Sequence, residues 1–182
     1  MKSVLISIKP KWCEKIASGQ KIIEVRKTAP QEVPFKAYIY CTKEKKQDDI
    51  IWAGVCGDRG KWNGRVIGEF VCDRITDISV VVRNCNENYN EVYHNDECKG
   101  SCLTWKELQE YGKDKPLYGW HISDLKIYDK PKELSEFSRP CSYGGLCFSC
   151  KRTSFKKDGN LLCNTKITRP PQSWMYVEDL GD

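Results

Sequence analysis

Hydrophobic and polar positions alternate along this chain in short blocks, and the blocks change period several times. "SVLISI", residues 3–8, is a near-continuous apolar run, the pattern of a strand buried on both faces. Pro10 then suits the first turn of a helix. "KWCEKIASG" carries that helix to Gly19, with Trp12, Cys13 and Ile16 facing the core. "KIIEVRK", residues 21–27, is rich in β-branched residues and predicts a second strand. Strict alternation puts Ile22, Glu24 and Arg26 on one face and Lys21, Ile23 and Val25 on the other. Lys21 therefore reaches the face of Glu24 only from the strand's start, where the backbone is still turning.

"TAPQEVPF" reads as a loop and "KAYIYCT" as a strand. Residues 53–64 form a glycine-rich stretch with Trp62, but without the lysine–serine ending of a phosphate loop. "RVIGEFVCDRITDISV" predicts a strand or a pair of strands. "TWKELQEYG" has Thr104 three residues before Glu107, a capping-box helix start, and stops near Gly112. "LYGWHISDLKIYDKP" is one further strand or two, and "PKELSEF" a short turn or helix. Short strands with a few small helices predict an α+β, barrel-like fold.

The composition agrees with a globular chain: 40% hydrophobic and 30% charged residues among 182, with no apolar run long enough for a membrane helix. "MKSVLISIKPKW" lacks a small-residue cleavage site, so it is expected to be a first strand rather than a signal peptide, and the protein cytoplasmic. The net charge is +5, and the basic residues crowd the first 28 positions: Lys2, Lys9, Lys11, Lys15, Lys21, Arg26 and Lys27 against Glu14 and Glu24. Such a patch suits either an anionic partner, with nucleic acid first, or a solvated face.

"SIKPKW", "GQKIIEVRK", "GRVIGEF" and "YGWHISDLKIYDKP" together resemble the ASCH domain, a branch of the PUA-like superfamily. The most specific element is Gly19-x-Lys21-x-x-Glu24-x-Arg26, which fits the pattern G-x-K-x-x-E-x-R position for position. The resemblance spans about residues 1–137 and leaves 138–182 as a cysteine-rich extension. It implies a small mixed β-barrel with flanking short helices, and a cleft near the motif that binds RNA or nucleosides. Ser7, Lys9 and Lys11 would rim that cleft around Lys21, Glu24 and Arg26. A related bacterial branch hydrolyses N4-acetylated cytidine with a lysine, a threonine and a glutamate. Lys21 matches the lysine and Glu69 the glutamate, but Glu24 stands where the threonine would be, which weighs against the amidase.

The residue chemistry admits two uses of the cleft. A lysine beside carboxylates stays protonated and binds anions or carbonyls. Glu69, if desolvated, could instead act as a general base while Lys21 steadies an oxyanion, with Glu24 beside them. The same groups read a nucleobase edge equally well. The plain alternative is that Glu24 and Arg26 pair with each other on one strand face. Among the aromatics, Trp62 is the stacking candidate, Tyr118 and Trp120 divide between core and cleft, and Trp12 belongs to the core. Trp174 should pack the tail back onto the barrel.

Eleven cysteines in a chain without an export signal argue against a disulfide framework. Cys141-x5-Cys147-x2-Cys150-x12-Cys163 has the thiolate set of a structural zinc site that would staple the tail. Cys85, His94, Cys98 and Cys102 are a weaker cluster: His94-x3-Cys98-x3-Cys102 could bind metal or add a ligand to the tail site, but the pattern fits a surface loop with incidental cysteines better. His121 reads as a satisfied structural histidine, and Cys13, Cys41, Cys56 and Cys72 as core packing. A zinc-tail protein adaptor is the third functional class left open, beside RNA or nucleoside binder and hydrolase.

Overall fold

The computed structural model describes residues 1–43, 59–79, 96–113, 115–141, 153–155, 161–163 and 165–181. The apolar run at the start becomes β1 (Lys2–Ile8), an interior strand of the larger sheet. It pairs in parallel with β3 (Phe35–Cys41), from Lys2 opposite Phe35 to Ile8 opposite Cys41. Parallel neighbours need a crossover, and here it contains helix α1 (Pro10–Ala17) and strand β2 (Ile23–Arg26). β4 (Val66–Cys72) and β7 (Ser123–Lys132) extend this sheet on one side by antiparallel pairing. On the other side β10 (Trp174–Val177) pairs antiparallel with β1, so the end of the chain completes the sheet order β10-β1-β3-β4-β7.

A second sheet, β2-β6-β5, is built from β2, β6 (Tyr118–His121) and β5 (Ile75–Asp77). The two stretches that could hold one strand or two each hold two, one in each sheet: β4 with β5, and β7 with β6. β8 (Thr153–Phe155) and β9 (Leu161–Cys163) form a separate hairpin. The fold is thus mixed α+β, as expected, but the ladders among the described residues form separate sheets rather than one closed barrel.

Period-two alternation divides β1 and β3 between two cores. Val4, Ile6 and Ile8 with Phe35, Ala37, Ile39 and Cys41 point to the space between the sheets, where Trp120 and the buried face of α1 meet them. Leu5 with Tyr38 and Tyr40 points the other way, against Phe137, Ile167 and Val177. Trp120 is fully buried and stands edge-on to Phe35, with ring centroids 5.1 Å apart, and to Trp174 at 5.7 Å. The far side of β2 is covered by helix α4 (Trp105–Gly112), through Val25, Ile78, Leu108 and Leu117. The capping box starts α4 as its sequence predicts: the Glu107 N–H donates to Thr104 Oγ1 (3.2 Å), and the Thr104 N–H donates to Glu107 Oε2 (2.9 Å).

Two short helices complete the frame. α2 (Arg59–Trp62) ends the glycine-rich stretch, and α3 (Asp96–Ser101) packs on β2. Gly54 and Gly57 lie outside the described residues, as do Cys56, Cys85 and His94.

Candidate functional site

The strand "IEVR" looks half-buried by its alternation, yet all four residues of β2 are buried. Ile23 and Val25 face the helices. Glu24 and Arg26 face inward as well, toward the end of β1, where a cavity of about 1080 Å³ opens. Lys21 precedes the strand and turns in from its start. The three ionisable residues are 2%, 5% and 8% exposed in chain order.

Glu24 is the centre of this group. Its Oε1 accepts from Arg26 Nη2 at 2.9 Å, and its Oε2 lies 3.4 Å from Lys21 Nζ. Arg26 Nη2 also donates to the backbone carbonyl of Ser7, at 2.5 Å. Lys21 Nζ donates to the Ser101 carbonyl at 2.6 Å, at the C-terminal end of α3, where helix carbonyls favour a cation. α3 comes this close because Gly100 sits against β2: a Cβ there would stand 2.9 Å from Ile22 Cγ1, and the Gly100 carbonyl accepts the Ile22 N–H at 2.9 Å. Burial lowers the Lys21 pKa, and the neighbouring Glu24 carboxylate works in the opposite direction. The set holds two cations and one anion, and Arg26 Nε has no hydrogen-bond partner.

Around this floor the cavity has a basic rim, Lys9, Lys11 and Lys43, and an aromatic side, Trp12 and Tyr111. Burial raises the Tyr111 pKa, with the Arg26 guanidinium opposing it. The wall facing them comes from Ile167, Thr168 and residues 170–173 of the tail. Ser7 binds that wall to the floor: its Oγ donates to the Pro171 carbonyl at 2.6 Å and its N–H to the Ser173 carbonyl at 2.9 Å. The tail wall and Tyr111 are absent from the sequence-derived site. The Pro170-Pro171 pair was their one available signal, since neither residue can donate to a ladder.

The other candidates lie elsewhere. Glu69 is not in the cavity; on β4 it is cross-strand partner to Tyr38 and accepts from the Tyr128 hydroxyl. Lys21 and Glu69 are therefore not brought together. Trp62 packs half-buried against the first core, and Trp120 belongs to that core outright. Tyr118 lines a smaller cavity of about 570 Å³ with Lys27, Pro30 and Ile75. His121 has both ring nitrogens engaged, by Arg74 (3.0 Å) and Thr76 Oγ1 (2.9 Å).

Of the tail thiols, Cys147 and Cys150 lie outside the described residues, and Cys163 is described only as backbone in β9. Cys141 is tied through its N–H to Glu178 (3.1 Å). Cys102 donates its thiol to the Gln20 carbonyl at 3.2 Å. Among the described residues no group of three or more His, Cys, Asp or Glu side chains is placed to hold a metal, and no helix is long and apolar enough to cross a membrane.

Comparison with solved structures finds the ASCH protein of Zymomonas mobilis. A mutant form of it aligns at TM-score 0.54 and 15% identity, over 97% of this chain and 89% of that one. The fold is that of an ASCH domain. Two further Zymomonas mobilis ASCH crystal structures, one of them a second mutant, align at TM-scores of 0.49 and 0.48, both at 16% identity. They cover 97% and 74% of this chain, and 88% and 77% of their own. At such identity the ASCH likeness speaks for architecture and not for ligand. No protein-family model matches the chain, and no curated protein matches it.

Proposed function

We propose that this chain binds RNA or a nucleobase-containing ligand in the cavity floored by Lys21, Glu24 and Arg26. The observation that carries the reading is the buried ion group of Lys21, Glu24 and Arg26 in the lining of a large cavity rimmed by Lys9, Lys11 and Lys43. Charged donors such as these suit a ligand carbonyl, ring nitrogen or phosphate oxygen. The cavity is at the upper end of the range that encloses small ligands, and its lysine rim suits a polyanion.

Binding is favoured over hydrolysis by the placement of the carboxylates. A general base on water must be within hydrogen-bond reach of the reacting centre. Glu69 stands outside the cavity, and both oxygens of Glu24 are committed to cations. We further propose that the tail holds a structural zinc. The donor set, four thiols, fits that ion. The hairpin register, Thr153 opposite Cys163, sets Cys163 across from a residue three positions beyond Cys150.

The decisive experiment is a fluorescence titration with short single-stranded RNA across a salt series, comparing wild type with Lys21→Ala after circular dichroism has shown both folded. Saturable, salt-sensitive binding lost in the variant supports the reading. Equal weak binding by both proteins refutes it.

A further inference from the structure

The first turn of α1 is electrostatically incomplete. Acidic or hydroxyl residues usually cap a helix start, because its exposed N–H groups carry partial positive charge. Here the N-cap is Lys9, which makes no side-chain capping bond, Lys11 follows, and the first turn holds no acidic residue. Two cations thus stand where an anion is favoured, and both side chains line the cavity. Lys9 and Lys11 are both exposed. Arg26, whose side chain is more than nine-tenths buried and whose Nε has no hydrogen-bond partner, lines the same cavity.

Trp12 adds a second independent feature. Its ring is only half-buried, and it borders the cavity. Three ammonium groups gather on it: Lys11 Nζ at 4.2 Å from the ring centroid, Lys21 at 5.2 Å and Lys15 at 5.7 Å. Lys21 is locked by Glu24 and Ser101. Lys11 is exposed, and its contact with the ring is one that a flat ligand can displace at little cost. An indole bordering a cavity, with an exposed lysine over it and two prolines in the same lining, matches the needs of a stacked base with an adjoining phosphate.

Building on the reading of the cavity as a nucleobase site, we propose that Trp12 is its stacking platform. The ligand is then a nucleotide rather than a nucleoside, with its phosphate against Lys9 and Lys11 at the open start of α1. On binding, Lys11 leaves the indole for the phosphate. The core role expected for Trp12 is thereby joined to a binding role, whereas Trp62 does not line the cavity.

The test is a titration with adenosine, cytidine, guanosine and uridine, each with and without a 5′-monophosphate, and with a short RNA as parallel ligand. Wild type, Trp12→Leu, Trp12→Phe and Lys11→Gln are compared, with thermal melts as a check on folding. The best monophosphate should bind about tenfold tighter than its nucleoside, and Lys11→Gln should erase most of that advantage. Trp12→Leu should weaken both by about 5- to 100-fold, with Trp12→Phe in between. Nucleosides binding as tightly as nucleotides would overturn the phosphate assignment, and unchanged affinity in a folded Trp12→Leu would overturn the platform. Either result leaves the cavity reading intact if RNA binding is still lost in Lys21→Ala. No binding of RNA or any nucleotide by wild type overturns both.

Discussion

Arg26 on β2 donates to the backbone carbonyl of Ser7 on β1, at 2.5 Å, and so joins the two sheets at the point where the cavity opens. Ser7 is at the same time the anchor of the tail, through Pro171 and Ser173. One strand end therefore holds together the charged floor and the opposite wall. A ligand entering between them touches elements from both sheets and from the last part of the chain.

Glu24 is the residue on which the floor depends. Its carboxylate separates Lys21 from Arg26, and both cations are nearly excluded from water. Glu24→Ala should leave two unneutralised buried charges and lower stability by about 3–5 kcal/mol. Glu24→Gln keeps the shape and a hydrogen-bond acceptor and should cost less. Urea unfolding of the two variants checks this; equal stability of Glu24→Ala and wild type would mean that the floor is hydrated and open.

Lys21 makes stability depend on alkaline pH. Its folded pKa is lowered from 10.5 by burial, whereas in the unfolded chain it keeps the ordinary value. Between the lowered value and 10.5 the unfolded state binds more protons, so stability rises with pH across that window. Lys21→Met should lack this rise. The difference between the two unfolding curves, followed downward from pH 10.5, is the measurement; parallel curves would contradict the burial.

The core thiols should be inert. Burial pushes Cys72 up to about 12, and a hydrogen bond to Cys41 with burial pushes Cys13 well above the ordinary thiol range. Native alkylation at neutral pH, read by peptide mass spectrometry, should leave Cys13 and Cys72 unmodified, since the thiolate is the reactive form. Labelling before unfolding would show that these elements open readily.

If the tail holds zinc, the purified protein should contain one zinc per chain by elemental analysis, and Cys150→Ser should lose it. Chelation should also release the 153–163 hairpin to proteolysis while the two sheets stay folded, because zinc binding and local folding are one equilibrium. A metal-free protein with the same protease pattern would remove zinc from the account.

Much of this protein is set by its sequence alone. A run of apolar residues makes β1 an interior strand, proline and glycine bound α1, and the Thr104–Glu107 capping box starts α4, all through interactions within a few residues. The segment Gly19–Arg26 declares itself by its spacing, and Lys21 must enter from the strand's start because side chains alternate along a strand. The sheet partners are another matter. β4 and β5 are neighbours in sequence yet lie in different sheets, as do β6 and β7, because pairing is decided by packing against distant strands. The same holds for the site. Alternation puts the Glu24 and Arg26 face in water, and only the approach of Ser7, α3 and the tail turns it into a buried floor. Glu69 lies outside the cavity for a separate reason: the pairing of its own strand sets it beside Tyr38 and Tyr128. Local rules set which way a side chain leaves the backbone; what it meets there is decided by the rest of the chain.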